Sequence, residues 1–160
     1  MNNLKAMNQL PQHAPIIAEA LDHLLADVEM YGKNVKNLKW TPGLRHFPHL
    51  KTLLEPLQQA TGVGSEMLAG RMIDLGGHPQ DGPGSLVASH LTMALPSESF
   101  SDATRQVIHD SELLLEAIRS TFDIAAEYDD KPTMQILMQA AHYVQNTIWT
   151  FSALRSSQLN

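Results

Sequence analysis

The sequence contains no cysteine, no long apolar run and no excess of positive charge. Because cysteine is absent from the 160 residues, disulfides, thiolate catalysis and cysteine-type zinc sites are excluded. The net charge is −6, so the chain as a whole has no general attraction for phosphate backbones. No segment approaches the roughly eighteen apolar residues of a membrane span, and the first residues lack a secretory apolar stretch. We therefore expect a soluble, untargeted cytoplasmic protein with no membrane partner.

Strand-like alternation and internal repeats are also missing, whereas apolar residues recur at three- and four-residue steps, which is typical of helices packed on a core. Four helices are predicted. The first spans about 13–39, the second runs from 47 or 48 to 75, the third begins at Ser101 or Asp102, and the fourth runs from Pro132 to 154. Within the second helix, Pro56, Gly62 and Gly64 predict a kink or break.

Two short connections and one long connection link these helices. Helices joined by short turns are antiparallel neighbours, and the long stretch between the second and third helices can cross the bundle. This pattern predicts an all-α, ferritin-like four-helix bundle with a short helix, about 85–93, in the crossover between the second and third helices. A flexible N-terminal arm, 1–12, is expected to precede a single domain, 13–157.

Metal-binding motifs are few. No Glu-x-x-His motif of the di-iron type occurs, and neither does a His-Glu-x-x-His zinc motif. His23 and Asp27 are four residues apart, but we interpret them as a surface pair. His46 and His49 are three apart and could reach one ion, although Pro48 between them and the lack of an adjacent carboxylate favour turn or interface histidines.

Five motifs in order resemble the Dps family of miniferritins, the DNA-binding proteins from starved cells. They are LKWT at 38–41, the stretch from Phe47 to Glu55, RMIDLGGHP at 71–79, DKPT at 130–133 and IWTFSAL at 148–154. The resemblance covers about Ile16 to Leu154. It implies a homo-oligomeric hollow shell of twelve subunits that oxidises ferrous iron, preferably with peroxide, and stores the ferric product. Many members of the family also bind DNA.

The resemblance also implies where iron would bind. The family site lies between two subunits and uses two histidines and three carboxylates. Here Lys39 and Lys51 stand at the histidine positions, Glu55 and Glu66 keep two carboxylates, and Gly70 replaces the third. A protonated lysine has no lone pair for a metal. We therefore expect ferroxidase activity to be lost or much reduced, with no iron bound at this position and the two lysines paired with Glu55 and Glu66 across the dimer interface.

Two alternatives stay open. One is an active, iron-storing miniferritin whose rearranged metal site uses Glu55 and Glu66 with His46 or His49. The other is a DNA-binding protective protein, which the acidic charge disfavours because the N-terminal arm carries only Lys5. The chain is thus a ferroxidase-type oxidoreductase by family resemblance, with an incomplete ligand set.

Overall fold

Four long helices make up most of the chain. The computed structural model describes residues 10–79, 88–95 and 99–157. The helices are α1 (Ala14–Trp40), α2 (Pro48–Asp74), α3 (Phe100–Glu127) and α4 (Lys131–Ser157), and a 3₁₀ helix (Pro42–His46) joins α1 to α2. Within the described residues there is no strand, and no helix has both the length and the apolarity needed to cross a bilayer. The predicted four-helix bundle is confirmed.

The helices pack as two pairs around one core. α1 lies along α2, α3 lies along α4, and α1 also packs against α3. Because each pair is joined by a short connection, its helices are antiparallel. All four helices contribute fully buried side chains to the core, among them Ile17, Leu21, Leu24, Leu50, Leu54, Val107 and Leu137.

Of the predicted kink or break in the second helix, the break is wrong, since α2 is a single helix of 27 residues with Pro56 inside it. One proline and two glycines in a helix interior cost about 5 kcal/mol relative to alanine. Five apolar side chains of α2 are buried, and burial of each contributes about 1.5–3 kcal/mol. Tertiary packing therefore outweighs the local preferences that predicted the break.

The crossover differs from expectation in the part that the structure describes. Residues 88–93 of the predicted short helix are not helical, and residues 85–87 lie outside the described segments. Residues 88–95 instead follow an irregular path along α1, where they hydrogen-bond to Asp27 and Asn34, and Leu91 is buried. The N-cap of α3 is Ser99, two residues before the earlier of the two predicted caps, because the Ser99 hydroxyl accepts a hydrogen bond from the Asp102 N–H at 3.0 Å.

Two helix ends use left-handed residues. α2 stops as predicted at Gly76, whose φ is 77°, and the Gly77 N–H donates to the Met72 carbonyl at 2.8 Å. α3 stops in the same way at Asp129, whose φ is 51°, with the Asp130 N–H donating to the Ala125 carbonyl at 2.9 Å. The stop at Asp129 fixes the short turn between α3 and α4.

Candidate functional site

Lys39 and Glu55 form an ion pair inside one chain. Lys39 is the last residue but one of α1, and the turn through Pro42 returns the chain so that the early turns of α2 face it. The ammonium contacts the Glu55 carboxylate and donates a hydrogen bond to the Gln58 side-chain oxygen at 2.6 Å. The Lys39 side chain is 14% exposed and that of Glu55 is 52% exposed. We expected this pairing between two subunits, but the antiparallel packing of α1 and α2 already provides it within one.

The other candidate positions lie apart from that pair. Lys51, Glu66 and Gly70 are exposed on α2, and neither charged side chain forms an ion pair or hydrogen bond with the described residues of the same chain. At about 1.5 Å per residue, Glu66 lies about 16 Å along the helix from Glu55. A single chain therefore does not bring Glu66 to Lys39. At Gly70, an added Cβ would meet no atom within 4 Å.

The two histidines considered as alternative ligands are also exposed. His46 ends the 3₁₀ helix and His49 lies in the first turn of α2. Neither is near enough to two further acidic or imidazole groups, and nowhere in residues 10–79, 88–95 and 99–157 do three such groups converge on a metal-sized site. The Glu55 carboxylate is also already paired with the Lys39 ammonium, which has no lone pair for a metal. The residues of one chain therefore do not fit an iron centre.

A patch of exposed apolar side chains lies where α1 ends, and it includes Trp40, the residue that follows Lys39. Trp40 is 67% exposed and Leu95 is 86% exposed, and both line a shallow depression together with Met93. The Lys36 ammonium lies 4.9 Å from the centre of the Trp40 ring. Contiguous exposed apolar surface of this kind is typical of protein contact sites.

Asp27 and Asn34 hold the crossover against α1, a role that the sequence analysis missed. Asp27 is fully buried, so its interpretation as part of a surface pair with His23 is wrong. It accepts hydrogen bonds from the Ser89 hydroxyl at 2.9 Å and the His90 N–H at 2.6 Å. Asn34 accepts from the Ala94 N–H and donates to the Thr92 carbonyl. The sequence did carry a signal for the burial of Asp27. Asp27 follows Leu24 by three residues and precedes Tyr31 by four, which puts it on the same helix face as these two buried residues.

Two further buried acids join helices. Asp110 of α3 accepts a hydrogen bond from Asn34 at 2.9 Å, and burial raises the pKa of this carboxyl despite that bond. Asp130, in the turn before α4, accepts from Arg71 of α2 at 2.8 Å and from Thr133 at 2.6 Å. Burial alone would raise the pKa of Asp130, but the Thr133 and Arg71 hydrogen bonds and the Arg71 charge lower it. Both carboxyls are engaged in joining helices, so neither is available to a ligand.

The fold and sequence together place the chain in a family. Residues 18–157 match the family model described as a ferritin-like domain, and the chain belongs to that family. Among curated proteins, the DNA protection during starvation protein of Porphyromonas gingivalis is 22% identical over 147 residues, which cover 89% of each chain.

Solved structures extend the likeness to Dps proteins. The Dps protein from Vibrio cholerae O1 matches with a TM-score of 0.84 at 20% identity, covering 89% of this chain and 90% of that one. Antigen TpF1 from Treponema pallidum matches with a TM-score of 0.84 at 23% identity, covering 92% and 97%. The Dps protein from Bacillus brevis matches with a TM-score of 0.83 at 22% identity, covering 91% and 99%. The resemblance to Dps proteins read from the five motifs is confirmed.

Proposed function

We propose that this chain forms a cytoplasmic, Dps-like shell of identical subunits, twelve by analogy with the family, whose ferroxidase activity is lost or much reduced. Its remaining role would be protective, structural or partner-binding. The exposed apolar patch at Trp40 and Leu95 supports assembly, because apolar surface of this kind is typical of protein contact sites and Trp40 directly follows Lys39, which corresponds to an intersubunit position in the family.

The observation that carries the proposal is the position of the Lys39 ammonium. It stands where the family has its first histidine ligand, and it contacts the one carboxylate, Glu55, that α2 retains nearby. A ferrous ion at this position would have to displace a cation from its counter-charge, and Lys39 could not replace the lost ligand. The fixed positive charge takes the place of the metal's charge.

The same reasoning assigns a role to Lys51 and Glu66. They are about 22 Å apart along α2 in one chain, so they cannot pair within it. We infer that Lys51 of one chain pairs with Glu66 of a second copy of the chain, and Glu66 with Lys51 of that copy. This would put a second lysine–glutamate ion pair at the intersubunit position. In this arrangement Gly70, which lacks a side chain, contributes neither charge nor ligand.

DNA binding is the weaker alternative. A shell built from chains of charge −6 would repel phosphate backbones at ordinary salt. A mobility shift that persisted near physiological salt without divalent ions would revive this function.

The decisive experiment measures ferrous iron oxidation by stoichiometric peroxide and then counts the iron retained per subunit after desalting. We expect oxidation at the rate of protein-free buffer and negligible retained iron. Rapid oxidation with many retained ions would contradict the proposal and favour a rearranged site that uses Glu55, Glu66 and His46 or His49. A diffraction experiment on iron-soaked crystals would then locate that site.

A further inference from the structure

A cavity of about 390 Å³ lies inside the bundle between α2 and α4. Its floor is formed by buried side chains of α1 and α3, among them Leu24, Leu114 and Ile118. Its mouth lies at the seam between α2 and α4, where Val63 and Tyr143 line the cavity and are also exposed. All four helices contribute to this cavity, which reaches from the surface between α2 and α4 into the bundle. None of Lys39, Glu55 and Gln58 lines it, so it is separate from the Lys39 site.

Small residues keep this cavity open. Ala60 and Gly64 of α2 face Ala140 of α4 across it, and a Cβ built at Gly64 would only touch Val28 at 3.8 Å. Protein interiors are close-packed and contain few voids larger than a water molecule. A volume equal to about thirteen water molecules is therefore large for the core of a small bundle.

The chemistry of the lining restricts what could bind. None of the described side chains that line the cavity is charged. The Tyr31 hydroxyl is already hydrogen-bonded to Ser111 at 2.7 Å, and the Thr61 hydroxyl donates to the Gln58 carbonyl at 2.7 Å. The polar groups left at the mouth are the Gln139 amide and the Tyr143 hydroxyl, whose contact with the Pro56 carbonyl is long, at 3.5 Å. Burial raises the pKa of Tyr143, so this phenol stays neutral.

We propose that the cavity binds an uncharged amphiphile of roughly ten to eighteen non-hydrogen atoms. Its apolar body would lie on the floor, and one hydroxyl or carbonyl group would meet Gln139 and Tyr143 at the mouth. A charged ligand is disfavoured because the lining offers no counter-charge to compensate the loss of hydration. This combination of size, apolar walls and a few neutral polar groups is typical of small-molecule sites.

The test uses the full-length protein in its native assembly and the neutral fluorescent probe N-phenylnaphthylamine. We expect saturable binding of about one probe per chain, displacement by decanol, and at least about tenfold weaker displacement by decanoate. Gly64→Leu and Ala140→Leu would fill the cavity from opposite walls, and each should weaken probe binding at least about tenfold.

Gly62→Leu is the matched control. Gly62 lies two residues from Gly64 on the same helix, but an added Cβ there meets no atom within 4 Å. This variant should bind the probe within about twofold of the parent. The proposal would be overturned by non-saturable binding, by equal displacement with decanoate, or by filled variants that bind as well as the control. Because Gly64→Leu and Ala140→Leu act on different helices, misfolding of one still leaves the other to decide.

Discussion

Replacing three residues tests whether missing ligands alone explain the proposed loss of iron chemistry. In the variant Lys39→His, Lys51→His, Gly70→Glu, both histidines and the third carboxylate of the family site are restored. If the rest of the site is intact, the initial rate of ferrous oxidation should rise at least about tenfold over the parent, because loss of a residue that only supports a metal's ligands already costs about ten- to a hundredfold in affinity or activity.

The structure indicates that this variant will fold. Loss of the Lys39 ion pair costs about 0.2–1 kcal/mol, because Glu55 is half exposed, and loss of the hydrogen bond to Gln58 costs about 0.5–1.5 kcal/mol. The glutamate at position 70 enters open space and replaces a helical glycine, which contributes up to about 1 kcal/mol in return. The net change is about 1 kcal/mol, well below the 5–15 kcal/mol stability of a typical domain.

The assay follows peroxide-driven oxidation and retained iron for the triple variant and for a matched control, Lys39→Gln, Lys51→Gln, Gly70→Glu. The control removes the same two cations and adds the same carboxylate, but it supplies no imidazole. Activity in the triple variant alone would support ligand loss as the cause. A triple variant that folds and assembles yet oxidises iron no faster than the control would refute the reasoning.

Three further predictions concern the residues that hold the bundle together. Asp27→Ala leaves the Ser89 and His90 donors unpaired, so we expect about 1–3 kcal/mol of destabilisation and faster amide exchange in residues 88–95, measured by chemical denaturation and exchange mass spectrometry; an unchanged denaturation midpoint would contradict this. The stability from Asp130 is present above its ordinary pKa of about 3.8 and is lost as pH falls through its lowered folded-state pKa. Arg71→Met should therefore shift acid unfolding, followed by circular dichroism, to higher pH, and an unshifted curve would count against the pair. Asp129→Gly should stabilise the protein by about 0.5–1 kcal/mol relative to Asp129→Ala, because the φ of 51° suits glycine and both changes remove the same side chain; equal thermal midpoints would refute this.

The fold was largely predictable because its signals are local. Apolar spacing located all four helices, and Pro42 and Gly76 located two of their ends to within a few residues. The prediction failed where tertiary packing overrides local preference, as in the continuous helix through Pro56. It failed again at Asp27, because residue type favours a surface position while burial depends on the hydrogen bonds that the distant residues Ser89 and His90 supply.

The candidate site was less predictable from the sequence than the fold. The resemblance to the Dps family identified Lys39 and Glu55 as partners, but it placed their ion pair between two subunits, whereas the two side chains meet within one chain. The turn through Pro42 decides this, because it returns the chain after α1 so that Lys39 faces the early turns of α2. Any residue at position 39 would therefore lie beside Glu55. A histidine there would give the pair a lone pair and a carboxylate for a metal, whereas lysine gives it a fixed cation. The helix geometry sets the location of the site, and the residue type at position 39 sets its chemistry.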